Sequence, residues 1–199
     1  STSIVDFAEV TQALAADAVG AGAKILLGHE VIGMRAAGAE VVITVRSAGN
    51  TDEDAFDQVV ACGGLQSDRL AEMAGDGPDP VIMPFRGEYY ALKPDRRGLV
   101  NGLVYPVPDP RYPFLGVHVT PRVDGEVLIG PNAVLALARE GYTWRNVSVS
   151  DLVGVARTPA FWRFARQHWR TGIREMAGSI SKRRFVAAAR AYVPDLADD

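Results

Sequence analysis

One short stretch constrains this 199-residue chain more than any other. Gly75-Asp76-Gly77-Pro78-Asp79-Pro80 crowds glycine and proline together, and neither a helix nor a sheet ladder continues through such a run. The apolar pattern also changes across it. The chain is therefore expected to divide into residues 1–80 and 81–199, each long enough to take part in a packed core.

Before the break the pattern mixes helix and strand. Asp6 is a good N-cap with Glu9 three residues on, and Val5 and Val10 stand where a hydrophobic staple would. Phe7, Val10, Leu14 and Ala18 share a helical face that ends at Gly20 and Gly22. Strands are expected at Lys24–Leu27, Val31–Arg35 and, after a turn at Ala37-Gly38, Glu40–Arg46. Asn50–Asp54 reads as an acidic loop. Phe56–Cys62 reads as a buried strand that runs into Gly63-Gly64 and a helix over Leu65–Ala74, one edge of an α/β unit.

After the break the period becomes that of a sheet, over 81–133. Val81–Leu92 is expected as a long strand with Arg86, Glu88 and Tyr90 on one face. Val104–Val107 and Leu115–Arg122 are further strands, joined by the proline-rich loop Pro106–Pro113. Asp124-Gly125 is a hairpin signal leading into Glu126–Gly130. Residues 145–199 read as helical, with Ser150 and Thr158 as N-caps and Pro159 at a first helical position. Phe161, Phe164, His168 and Trp169 recur at helical spacing there, as do Phe185, Val186 and Ala189.

Composition excludes several classes. The hydrophobic fraction of 48% and charged fraction of 23% are those of a globular protein, and a net charge of -3 argues against a nucleic-acid binder. No apolar run reaches the length of a membrane-spanning helix. The single cysteine, Cys62, excludes an internal disulfide and suits the reducing cytoplasm; it is expected as a buried small apolar residue. His29, His118 and His168 are far apart, so no metal site is expected. Charge is uneven, however. Residues 1–144 hold 11 Lys+Arg against 19 Asp+Glu, whereas residues 145–199 hold 10 against 5. The basic segment is either a solvated helical surface or a docking face for an acidic partner or a membrane surface.

A two-residue turn at Asp124-Gly125 pairs Val123 with Glu126 and sets His118 opposite Pro131, diagonally beside Asn132. Pro121 cannot donate to the ladder, which allows a shift of one residue. His118, Thr120 and Asn132 are thus expected together at one end of a ribbon. A histidine there suits proton transfer near neutral pH, against the plainer reading of a satisfied structural side chain. Arg86, in an otherwise apolar strand, needs an anion, either Glu88 on the same face or a substrate carboxylate. Tyr89, Tyr90 and Tyr105 offer hydroxyl donors or simple packing. Gly63-Gly64 is open between a plain turn and a close approach to a nucleotide.

Val-Val-Ala-Cys-Gly-Gly-Leu-Gln-Ser-Asp-Arg (59–69), Pro-Phe-Arg-Gly-Glu-Tyr-Tyr (84–90), Tyr-Pro-Val-Pro-Asp-Pro (105–110), Pro-Phe-Leu-Gly-Val-His-Val-Thr (113–120) and Gly-Pro-Asn-Ala (130–133) occur in that order. Ala-Arg-Glu-Gly-Tyr (138–142) and His-Trp-Arg-Thr-Gly (168–172) follow. Together they resemble the L-2-hydroxyglutarate oxidase/dehydrogenase family, a branch of the D-amino-acid-oxidase-like flavoproteins, over nearly the whole chain. The resemblance implies a mixed α/β and α+β fold, in which residues 1–80 are part of a Rossmann-like FAD domain. Residues 81–199 are then an antiparallel-sheet substrate domain with helices. It further implies FAD as cofactor, with Val31, Gly63 and Gly64 on the cofactor side. The expected substrate is L-2-hydroxyglutarate or a similar 2-hydroxy dicarboxylate, oxidised to the 2-oxo acid. His118 is then the catalytic base, and Arg86, Tyr105, Thr120 and Asn132 bind substrate. A cytoplasmic protein is expected, with peripheral attachment at the inner membrane face as a use for the basic segment.

The G-x-G-x-x-G fingerprint and the C-terminal return of an FAD domain do not occur in these residues, and Cys-Gly-Gly stands where the family more often has Cys-Ala-Gly. The chain is accordingly expected to be an interior piece of a larger enzyme. The alternative is a non-catalytic module that binds a dicarboxylate or a protein partner without holding FAD.

Overall fold

The structure, a computed structural model, describes residues 3–77, 80–107 and 117–196. It contains two compact units, Ala8–Ile82, and Ser1–Phe7 together with Met83–Asp199. The dividing point falls just past the glycine–proline run, and the first seven residues join the second unit rather than the first.

In the first unit, helix α1 (Phe7–Gly20) starts directly after Asp6, as its capping pattern predicts. Strands β1 (Glu30–Ala37), β2 (Glu40–Ser47) and β3 (Asn50–Phe56) then form an antiparallel meander in that order. The expected acidic loop at 50–54 is therefore a strand. Ala48 (φ 49) and Gly49 (φ 86) form a two-residue turn of the type that matches strand twist, so the ladder Ser47↔Asn50 to Val41↔Phe56 closes behind it. The acids tolerate this because β3 is exposed throughout and Glu53 meets Arg35 at 2.9 Å. The strands expected at Lys24–Leu27 and Phe56–Cys62 do not form beyond Phe56. Among the described residues no strand runs beside either segment, and Val60 and Leu27 are almost fully exposed. A 3-10 turn (Gly64–Gln66) leads into α2 (Ser67–Met73), a shorter helix than Leu65–Ala74.

The second unit is built on a three-stranded antiparallel sheet of β4 (Phe85–Ala91), β5 (His118–Pro121) and β6 (Val127–Leu135), with β6 in the middle. Val104 makes only a single bridge, to Val119, where a strand over 104–107 was expected. Most of the Pro106–Pro113 loop and the start of the 115–122 strand lie outside the described residues. Helices α3 (Val149–Arg157), α4 (Pro159–Ile180) and α5 (Lys182–Ala189) follow. Ser148, two residues before the expected Ser150, caps α3 by accepting from the Asp151 N–H. Thr158 and Pro159 open α4 as predicted.

The core lies between one face of this sheet and α5. Val119, Val127 and Ile129 meet Phe185, Val186 and Ala189, with Val193 and Leu196 from the turn that follows. Burying a side chain of this size stabilises by about 1.5–3 kcal/mol, and this cluster is the main apolar reserve of the unit. No helix among the described residues is long and apolar enough to cross a membrane.

Candidate functional site

The hairpin register differs from expectation by one residue. His118 pairs with Gly130, Val119 with Ile129 and Thr120 with Leu128. The Arg122 N–H donates to the Glu126 carbonyl and Gly125 takes φ 81, so the loop is Val123-Asp124-Gly125, three residues with a left-handed glycine. The Asp124 side chain steadies it by accepting from the Glu126 N–H.

A second irregularity decides which side chains share a face. Glu88 pairs with Asn132 and Tyr90 with Ile129, so Gly130 and Pro131 together oppose Tyr89, a bulge in β6. Only glycine suits the first of these positions. Gly130 has φ 146, and a Cβ there would stand 2.7 Å from the Glu88 carbonyl oxygen and 2.9 Å from Tyr89 Cδ1.

Tyr90, Ile129 and Val119 lie opposite one another across the sheet, and Tyr90 meets Phe185 edge-on at 4.8 Å. Arg86 and Glu88 share this helix-covered face by strand alternation, as expected, and Asn132 shares it through its pairing with Glu88. Arg86 is 5% exposed; its Nη2 donates to Glu88 Oε1 at 2.9 Å, and its guanidinium carbon sits 3.9 Å from the centre of the Trp144 ring. Asn132 Nδ2 donates to Glu88 Oε2 and to the Glu175 carbonyl, both at 3.2 Å. Glu175 in turn accepts from the Ala133 N–H at 3.0 Å. Burial alone would raise the Glu88 carboxyl. The nearby Ser179 hydroxyl, the hydrogen bonds from Arg86 and Asn132 and the Arg86 charge outweigh it and hold the carboxyl below its ordinary value of 4.5.

Of the two anions open to Arg86, the structure therefore supplies Glu88. The expected gathering of Asn132 with His118 and Thr120 does not occur. The bulge adds one residue between Ile129 and Asn132, and that turns the Asn132 amide to the helix-covered side.

His118 and Thr120 flank buried Val119 on β5, so they emerge from the opposite, open face. The Val104–Val119 bridge brings Tyr105 to them. The Tyr105 ring stacks on His118 with centres 4.3 Å apart and planes 18° from parallel, and its hydroxyl lies 3.3 Å from Thr120 Oγ1. Tyr89, one residue out of phase with the buried face, belongs here too. Its phenol is pushed above the ordinary value of 10.0 by partial burial and by Tyr105. Tyr90, by contrast, is packing. One imidazole and three hydroxyls thus sit on a half-exposed surface, a set able to accept a proton and donate to a small polar substrate. Tyr89 is the residue sequence reasoning did not separate from its neighbours; the only signal was that phase. A cleft of about 400 Å³ continues from Thr120 along Pro121–Val123 to residues 3–7.

The cofactor-side candidates lie in the first unit. Val31 pairs with Val45 at the start of β1, beside an irregularity that precedes Gly33. Gly64 has φ 53 and open space where a Cβ would stand, so its backbone is uncovered. A Cβ on Gly63 would meet Leu70 Cδ1, the end of a side chain that can turn aside. Cys62 is exposed, not buried as expected, because no strand forms to bury it. Among the described residues no group of three or more His, Cys, Asp or Glu is placed to hold a metal.

A family model described as DAO, FAD dependent oxidoreductase, matches residues 1–198. The chain is 40% identical over 196 residues to an L-2-hydroxyglutarate dehydrogenase of Escherichia coli strain K12, covering 98% of this chain and 46% of that protein. It is 42% identical over 196 residues to the protein of that name from Salmonella houtenae, covering 98% and 46%. To the mitochondrial L-2-hydroxyglutarate dehydrogenase of Homo sapiens it is 39% identical over 204 residues, covering 98% and 44%. The chain spans about half the length of the curated relatives it matches.

Proposed function

The chain belongs to the FAD dependent oxidoreductase family, and from that premise we propose that it supplies the substrate side of an enzyme oxidising L-2-hydroxyglutarate, or a similar 2-hydroxy dicarboxylate, to the 2-oxo acid. The substrate class is supported by the names of the relatives. The observation that carries the mechanism is the stacked, hydroxyl-linked set of His118, Tyr105 and Thr120 on the open face.

A 2-hydroxy acid loses hydride from C2 readily only if its hydroxyl proton leaves as well. His118 is the residue to take that proton, onto a ring nitrogen. Tyr105 fixes the imidazole plane by stacking, and Thr120 fixes Tyr105 in turn. Tyr89, kept protonated by its surroundings, donates to a substrate oxygen. Arg86 and Asn132 act from beneath: with Glu88 they hold β4 and β6 in register around Gly130 and so place Tyr89 and His118.

FAD, when bound, supplies the hydride acceptor. The open backbone at Gly64 and the strand start at Val31 fit a group lying along the chain, and Gly63 adjoins Gly64 with the Leu70 side chain beside it. The exposed thiol of Cys62 supports work in a reducing compartment such as the cytoplasm.

The test is His118→Ala in the full FAD-loaded protein, assayed with L-2-hydroxyglutarate and a dye acceptor. Turnover is expected to fall about 10²-fold or more. Near-normal turnover overturns the assignment.

A further inference from the structure

A cavity of about 240 Å³ opens at the edge of the core of the second unit, on the helix-covered side of the sheet. Tyr90, Leu99, Ile129, Val186 and Leu196 line its floor, and all five belong to the core cluster or pack against it. Interiors are packed to near-crystal density, so a hollow of this size among core side chains is unusual. It is smaller than the roughly 300–1,000 Å³ of sites that take drug-sized molecules. An apolar cavity of about 150 Å³ takes benzene, so this floor has room for a body of roughly eight to ten carbon atoms.

The rim differs from the floor. Lys93 and Arg96 line it where β4 runs into the 3-10 turn Pro94–Leu99, and Lys182 lines it from the first turn of α5. All three are exposed, and among the described residues no Asp or Glu shares the lining. Arg96 meets its sequence neighbour Asp95 only at 3.9 Å. Lys182 has no ion-pair partner among the described residues. Scattered surface cations are ordinary. Three that converge on one apolar hollow from two separate elements, with no acid in the lining, set up a positive field at its mouth.

We propose that this cavity binds an amphipathic monocarboxylate, its hydrocarbon body on the Ile129–Val186 floor and its carboxylate at Lys93, Arg96 and Lys182. Floor and rim decide the class together. A neutral hydrocarbon would fill the floor and gain nothing from the cations. A small dianion such as phosphate would meet the cations and leave the floor in water. A short dicarboxylate would have to carry its second charge onto that floor, which is costly. The cavity is also separate from the set proposed to carry the reaction. Tyr90 and Ile129 belong to the helix-covered face, whereas His118 and Tyr105 stack on the open one.

The experiment is equilibrium dialysis of radiolabelled octanoate against the full FAD-loaded protein. One saturable site with a dissociation constant below about 1 mM is expected for a ligand of about ten non-hydrogen atoms. Octanol, the same body without the charge, should bind about tenfold more weakly. An Arg96→Gln/Lys182→Gln variant should lose about tenfold in affinity for octanoate; both side chains are exposed, so its circular dichroism should match the parent's. Leu99→Trp, which fills the cavity from its half-buried wall, should lose at least as much. Excess glutarate should leave octanoate binding unchanged. Absence of saturable octanoate binding overturns the proposal. So does octanol binding as tightly as octanoate, unchanged affinity in the glutamine variant, or displacement by glutarate, which would put the ligand among the reactive residues of the open face.

Discussion

The two faces of the β4–β6–β5 sheet are made by alternate residues of the same strands, yet they obey opposite rules. On the helix-covered face Arg86 and Asn132 are buried and both donate to the half-buried Glu88 carboxylate, which is held ionised. On the open face His118, Tyr105, Tyr89 and Thr120 stay half-exposed, joined by the His118–Tyr105 stack and the Tyr105–Thr120 hydroxyl contact. Polar residues of the first kind stabilise only as a complete set. Those of the second kind are available to a ligand.

That contrast is breakable in order of effect. Glu88→Ala strands the buried Arg86 charge, so a loss of about 3–5 kcal/mol is expected in urea unfolding; a change under 1 kcal/mol would mean that water reaches the cluster. His118→Ala should raise the catalytic barrier by about 2.7 kcal/mol, the equivalent of 10²-fold in rate, while leaving unfolding within about 1 kcal/mol of the parent. Equal losses in both measurements would erase the distinction between the faces.

Gly130→Ala tests the link between them. The added Cβ must displace the Glu88 carbonyl or the Tyr89 ring, so about 2 kcal/mol of stability and part of the activity should go together. The acid limb of stability tests the buried face alone. Because the folded Glu88 carboxyl titrates below its ordinary 4.5, its contribution is present above that value and is lost as pH falls through the folded one. Glu88→Gln should flatten that part of a pH series of thermal melts. Smallest of all, Tyr105→Phe removes one exposed hydroxyl contact and should cost less than about 1 kcal/mol of stability, with a few-fold drop in turnover.

Much of this was legible along the chain. The Asp124-Gly125 turn, the Thr158-Pro159 helix start, the common face of Arg86, Glu88 and Tyr90, and the Phe185/Val186/Ala189 core face all rest on local rules. So did His118 and Thr120 as neighbours on one strand, whereas Tyr105 joined them only through the Val104–Val119 bridge. The misses share a different cause. Asn50–Asp54 looks like a loop by composition and is part of a strand because a turn of positive φ at Ala48-Gly49 returns it along β2. Phe56–Cys62 looks like a buried strand and is largely exposed because among the described residues no strand lies beside it.

The sequence alone determined helix starts, several turn positions and the apolar period of most segments, since φ preferences, caps and apolar spacing act within a few residues. Only tertiary structure decided how the strands count against one another. A hairpin loop of three residues instead of two moved His118 opposite Gly130, and one extra residue in β6 sent Asn132 through the sheet. Side-chain direction alternates at every residue, so a single unit of register, set by contacts far apart in the chain, exchanges inside for outside.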